Sequence, residues 1–136
     1  MSDAAVSVGE VWVTYIPPTA EDEVGSAWKS EVLIVFVAPD DAGYFAFRVV
    51  QQDPDRMSSE PYWVEVLEGR DDVRRYVECD ELLPLYPQTL VPGGQIGSAE
   101  DGCIRELAKR VPGVLAGTKY AELSPFVVRE LEALFR

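Results

Sequence analysis

The chain reads as a mainly β protein of the α+β class: a small antiparallel β-barrel followed by C-terminal helices. Three observations predict this. Residues 32–38, Val-Leu-Ile-Val-Phe-Val-Ala, form a short apolar run without a polar face. Its β-branched content and the Pro-Asp-Asp-Ala-Gly turn behind it favour a strand buried on both sides over a helix. Other short stretches rich in β-branched and aromatic residues recur, between turn residues, up to Cys79. Helical spacing of apolar residues begins only after Ser98. A strand without a polar face needs cover on both sides, and in 136 residues the economical cover is a curled antiparallel sheet with helices over its open side. One domain is expected over residues 1–136, with the barrel in 6–97 and the helical part in 98–136.

The elements follow in order. Residues 6–16 alternate, with Val11, Val13 and Tyr15 on one side and Trp12, Thr14 and Ile16 on the other, and Pro17-Pro18 ends the strand. Residues 19–29 read as an acidic loop leading into the central strand. Residues 44–51 form the next strand, joined by a short turn and therefore a hairpin partner. Residues 52–60 are polar and read as a loop. Residues 61–67 and 74–79 read as two more strands around a charged turn. From Asp80 to Gly97, Pro84, Pro87, Pro92 and Gly93-Gly94 predict a connection. Ser98 with Asp101 three residues on resembles a capping box, and Ile104, Leu107, Ala108 and Val111 mark one helical face until Pro112-Gly113 stops it. Ser124-Pro125 opens a second helix, with Phe126, Val127, Leu131, Leu134 and Phe135 as its apolar residues. That is more apolar surface than a short helix can expose, so its own barrel or another subunit must cover it.

Composition removes several kinds of chemistry. Histidine is absent, which excludes a His-dependent general base, and Cys79 and Cys103 have no metal-ligand spacing. No metal or cofactor is expected, and the two thiols are expected to be reduced core residues. The N-terminal residues have neither a basic start nor an apolar segment, and no run approaches membrane-spanning length. The reading is a soluble cytoplasmic protein with no membrane partner. The net charge is −12, and it belongs to the barrel: residues 1–98 hold 18 of the 24 acids but six of the 12 bases. Such a field repels a polyanion, so RNA is disfavoured as a partner though not excluded, and a basic peptide is favoured.

The order of Gly9-Glu10-Val11-Trp12-Val13-Thr14-Tyr15-Ile16-Pro17, the buried strand, Glu60-Pro61-Tyr62-Trp63-Val64-Glu65-Val66 and Ile96-Gly97-Ser98-Ala99-Glu100-Asp101 resembles the PemK/MazF-like family of toxin endoribonucleases. The resemblance spans about residues 8–111. It implies an SH3-like barrel with helical additions, commonly a homodimer, and an antitoxin-like protein partner. Residues 124–136 lie beyond what the family usually needs.

The family's active site has an Arg just before the second strand, which stabilises the phosphate during attack by the RNA 2′-hydroxyl, and a Thr or Ser ending the third strand. Here those positions are approached by Lys29, followed by Ser30, and by Gln51. Lys offers a point charge without a planar fork, and Gln is neither acid nor base. After the fifth strand, where a basic phosphate contact is common, the chain reads Asp80-Glu81-Leu82-Leu83-Pro84. The candidate site is therefore Lys29 and Gln51 for chemistry, with Trp28 and Ser30 for binding. Trp28 is read as a loop residue free to stack on a base, whereas Trp12 and Trp63 are read as core or interface anchors. On its own, Lys29 reads most simply as a solvated loop cation in an acidic segment. Arg70, Arg74 and Arg75, interrupted by Asp71 and Asp72, are read as a solvated salt-bridged turn.

The expectation is a divergent toxin-family protein with weak or lost ribonuclease activity, acting as a binding or dimerisation module. The alternatives are an active metal-independent endoribonuclease and an unrelated small barrel that binds proteins.

Overall fold

The computed structural model describes residues 6–16, 28–39, 42–51, 63–66 and 75–135. Among the described residues, six strands form one antiparallel sheet: β1 (Glu10–Ile16), β2 (Trp28–Val37), β3 (Tyr44–Gln51), β4 (Trp63–Val66), β5 (Arg75–Leu85) and β6 (Leu90–Ser98). Their order across the sheet is β4-β5-β3-β2-β1-β6. Two helices follow, α1 (Asp101–Leu115) and α2 (Ser124–Ala133). The architecture is mainly β with an α+β arrangement, as the sequence predicts. The sheet is barrel-like, but among the described residues β4 and β6 remain its edges and hydrogen bonding does not close it. Among the described residues no helix is long and apolar enough to cross a membrane.

The central premise holds at β2. It lies between β1 and β3, and Val32, Leu33, Ile34 and Val35 are all fully buried. Two cores use its two faces, as strand alternation requires. Leu33 and Val35 join Val11, Phe47, Val49, Val77, Cys79 and Leu82 beneath Ile104, Leu107, Val111 and Leu115 of α1 and Val127 and Leu131 of α2. Val32 and Ile34 join Trp12, Tyr44, Ala46 and Leu85 on the other face, where Val6 adds cover in place of a helix. Trp12 Nε1 donates to Glu10 Oε1 at 2.9 Å, so the indole is a satisfied core anchor. The second helix therefore covers its own sheet through Val127 and Leu131, while Phe126 and Leu134 stay 46% exposed.

Four boundaries depart from expectation. β2 starts at Trp28, not after Lys29, because β1 runs on to Ile16 and offers Thr14, Tyr15 and Ile16 as partners to Ser30, Lys29 and Trp28. Polar residues make a strand when a neighbour satisfies their backbone. Residues 80–97 are no mere connection. β5 continues to Leu85 through a bulge: Ala46 pairs with Leu83 but Arg48 with Glu78, so residues 79–82 lie opposite Phe47 alone. Cys79 and Leu82 are buried there while Asp80 and Glu81 are exposed, which breaks the alternation on which strand recognition depends. Pro84 lies beyond the last rung of β4, Trp63 with Glu78, where β5 has a strand on one side only. β6 is an edge and so tolerates Pro92, while Gly94 is required because a Cβ would lie 2.7 Å from the Val91 carbonyl oxygen.

The helix ends differ too. Ser98 is committed to the ladder opposite Glu10, and Ala99 N–H donates to the Gly9 carbonyl, so α1 starts at Asp101 with Glu100 as an N-cap that makes no side-chain bond. Pro112 and Gly113 do not stop α1. Both face outwards, and burial of Val111 and Leu115 on the inner face carries the last turn past the missing N–H. The loops read over residues 19–27 and 52–60, with Arg70 and Arg74, lie outside the described residues.

Candidate functional site

The backbone gathers the expected chemistry at one end of the sheet. Tyr15 pairs with Lys29, and Arg75 pairs with both Gln51 and Val66. The β2–β3 ladder reaches Glu31 with Val49, so Lys29 and Gln51 each lie two residues beyond its last pair, and Gln51 is the one of the two that stands opposite Arg75. Trp28 pairs with Ile16, one position further along β2, inside the strand and not in a loop. Ser30 is half-buried opposite Thr14, on the face away from Glu31, so it does not share the helix-covered side. Thr14 beside it is fully buried and donates its hydroxyl to the Thr89 carbonyl at 2.9 Å, a structural tie to the turn before β6.

This end also holds a charged pair, one member of which, Arg75, is expected from the sequence to lie in a solvated turn. Arg75 Nε donates to Glu31 Oε1 at 2.7 Å and Nη2 donates to Oε2 at 3.3 Å, a two-point contact between fork and carboxylate. The Arg75 side chain is 6% exposed and that of Glu31 20%. Since β3 lies between β5 and β2, the pair arches across β3 near Val49. Arg75 is therefore no part of a solvated turn. A guanidinium does not give up its proton on burial, so it must meet an anion there. The signal was present in the alternation: Arg75 stands in phase with Val77 and Cys79, and Glu31 with Leu33 and Val35. Opposite charges in phase with the apolar face on two strands point to a buried pair.

Two further places lack chemistry of their own. An apolar pocket of about 220 Å³ is lined by Phe36, Phe45, Leu123, Phe126 and Val127, none with a side-chain group that ionises or hydrogen-bonds. It lies at the turn end of the β2–β3 hairpin, away from Lys29 and Gln51. Cys79 and Cys103 are buried in the core and form no disulfide among the described residues. Burial, and next the Asp80 carboxylate, push the Cys79 thiol up to about 12, which makes it inert as a nucleophile at neutral pH.

Among solved structures, the fold is similar to that of an endoribonuclease in complex with its cognate antitoxin from mycobacterial species. The TM-score is 0.56 at 20% identity, over 83% of this chain and 97% of that one. No protein-family model matches the chain. No curated protein matches it in sequence.

Proposed function

We propose that this chain is a divergent toxin-family protein of the PemK/MazF type whose ribonuclease activity is weak or lost and whose main role is to bind protein partners. The observation that carries this reading is which residues stand at the positions of the family's site, Lys29 and Gln51. Cleavage through a cyclic phosphate needs a cation on the non-bridging oxygens and a group that moves the proton of the 2′-hydroxyl. Lys29 supplies a point charge at most, Gln51 cannot take a proton, and Arg75, the ladder partner of Gln51, is already held by Glu31. The similarity to an endoribonuclease toxin supports the family side of the proposal.

A partner of antitoxin type agrees with the same likeness, because that endoribonuclease is bound to its antitoxin. The charge of −12 suits a basic partner better than RNA. A homodimer belongs to the proposal as well, with the acidic sheet and the neutral helical end as complementary surfaces. Sedimentation of the full chain tests it, and a monomer at every concentration would refute it.

The deciding assay is cleavage of single-stranded RNA by the purified protein in the presence of a chelator, with Lys29→Ala as control. Little or no cleavage is expected from either. Cutting by the unmodified chain that Lys29→Ala abolishes would overturn the reading and favour the active endoribonuclease.

A further inference from the structure

The apolar pocket opens between the turn end of the β2–β3 hairpin, through Phe36 and Phe45, and the start of α2, through Leu123, Phe126 and Val127. With no lining group to hydrogen-bond, a charged or hydroxyl-rich ligand would lose its water there without compensation, and a bare apolar group is what fits. Phe126, on the rim, is itself 46% exposed. The core side of α2 consists of Ser124, Val127 and Leu131. A 3-10 turn, Ala121–Leu123, runs directly into the helix, and along the outer side Glu122, Phe126 and Arg129 follow at spacings of four and three, all exposed.

Two features of this line point to its occupant. Arg129 holds its guanidinium over the Phe126 ring, 5.2 Å from the centroid, and among the described residues neither Arg129 nor Glu122 has an ion-pair partner. Phe126 thus stands between an acid on one side and a base on the other. Let two copies cross antiparallel about a two-fold axis at Phe126. Arg129 then lies about 4–5 Å along the helix from the axis, and Glu122 of the second copy about 6–7 Å on the same side, within reach of two long side chains. The line is complementary to itself, as an isologous contact requires. The second feature is local charge. Residues 99–136 hold six acids and six bases while the whole chain carries −12, so two copies repel each other least when they meet at this end.

We infer that this surface is the contact between two copies of the chain: Phe126 of each enters the pocket of the other, and Arg129 pairs with Glu122 across the axis in both directions. The inference rests on the homodimer of the proposed function and on none of its ribonuclease chemistry. It uses a helix outside residues 8–111, the span of the family resemblance. Because Phe36 and Phe45 belong to the sheet, the helical end of each copy also meets the sheet of the other.

Sedimentation equilibrium of the full chain tests this. One helical face per copy makes a small interface, below about 1,000 Å² in total, so half-association is expected on the order of 10–100 μM. Phe126→Ala empties both pockets and should weaken association at least about tenfold. Glu122→Arg and Arg129→Glu each set like charges against each other twice, and each should weaken it by a similar factor. An equimolar mixture of those two variants restores opposite charges at both pairs. It should associate to within about threefold of the unmodified chain, a recovery that no effect inside one copy produces. Association that survives Phe126→Ala, or a mixture no stronger than its components, overturns this contact and leaves the homodimer standing. A chain that stays monomeric up to about 1 mM overturns both, and gives the pocket to an apolar side chain of another protein.

Discussion

Two arginine–glutamate pairs of similar length lie in different surroundings. Arg75 and Glu31 meet at 2.7 Å with side chains 6% and 20% exposed, joining two strands that are not neighbours. Arg110 and Glu106 meet at 2.9 Å with 38% and 42% exposed, one turn apart on α1. The chemistry is the same and the consequences differ, because water competes for the second pair and scarcely for the first. In the buried pair the charges are largely withheld from water, so losing one partner is costly. In the exposed pair each charge has solvent to return to. The first is thus a place where an anion matters, and the second is a feature of a solvated helix.

The largest expected effect lies at the buried pair. Arg75→Leu removes the enclosed guanidinium that holds Glu31 and should cost about 3 kcal/mol, measured by urea unfolding. Adding Glu31→Met should restore stability to within about 1 kcal/mol of the unmodified chain, because an apolar pair of similar bulk needs no compensation. Two losses that simply add would show that the pair is not energetically buried and would remove the contrast between the two ends.

Next in size is Leu131→Ala on α2, for which about 3 kcal/mol is expected from the fully buried side chain and the cavity left behind. The same urea measurement checks it. A loss below about 1 kcal/mol would mean that α2 does not seal the core beneath which Leu33, Val77 and Cys79 lie. Glu31 and Arg75, which continue that face, would then be less enclosed than the geometry implies.

Cys79 gives a third measure of that enclosure, four residues along β5 from Arg75. Its thiol is raised from an ordinary value of 9.0 to about 12, first by burial. A group raised on folding lends stability while protonated. Its share is complete below the unfolded value and is lost as the pH climbs from about 9 towards 12, at roughly 1.4 kcal/mol per pH unit. Urea midpoints taken above pH 9 should therefore fall more steeply for the unmodified chain than for Cys79→Ala. Parallel curves would show that Cys79 is hydrated and that the core is open to water next to the ion pair.

The same contrast explains what the sequence could and could not tell. Residues 32–35 were legible because every side chain in them is apolar, so either face predicts burial, and residues 44–51 were legible because a short turn joins them to that strand. Ile104 and Leu107 were legible from helical spacing. The bulge at residues 79–82, the prolines of β5 and β6 and the start of β2 were not, since each depends on which neighbour a strand happens to have. The site falls between these cases. Lys29 and Gln51 could be named from the order of motifs, but the pairing of Gln51 with Arg75 needed the register. Arg75 itself was hidden by Arg74, Asp72 and Asp71, whose company suggests a solvated turn. Reading its phase with Val77 and Cys79 would have separated it from them.

The smallest effect should come from the exposed pair, and it completes the comparison. Glu106 precedes Arg110 by four residues on α1, the favourable order on a helix, and both side chains retain more than a third of their surface. A double-mutant cycle of Glu106→Ala and Arg110→Ala should return a coupling of about 0.3–0.5 kcal/mol in low salt. In 1 M salt, where screening acts over about 3 Å, the coupling should vanish. The coupling between Glu31 and Arg75 should persist there, because little solvent reaches the charges to carry the ions. A coupling at Glu106–Arg110 as large as that at Glu31–Arg75, or an equal fall of both with salt, would show that burial does not set the two pairs apart.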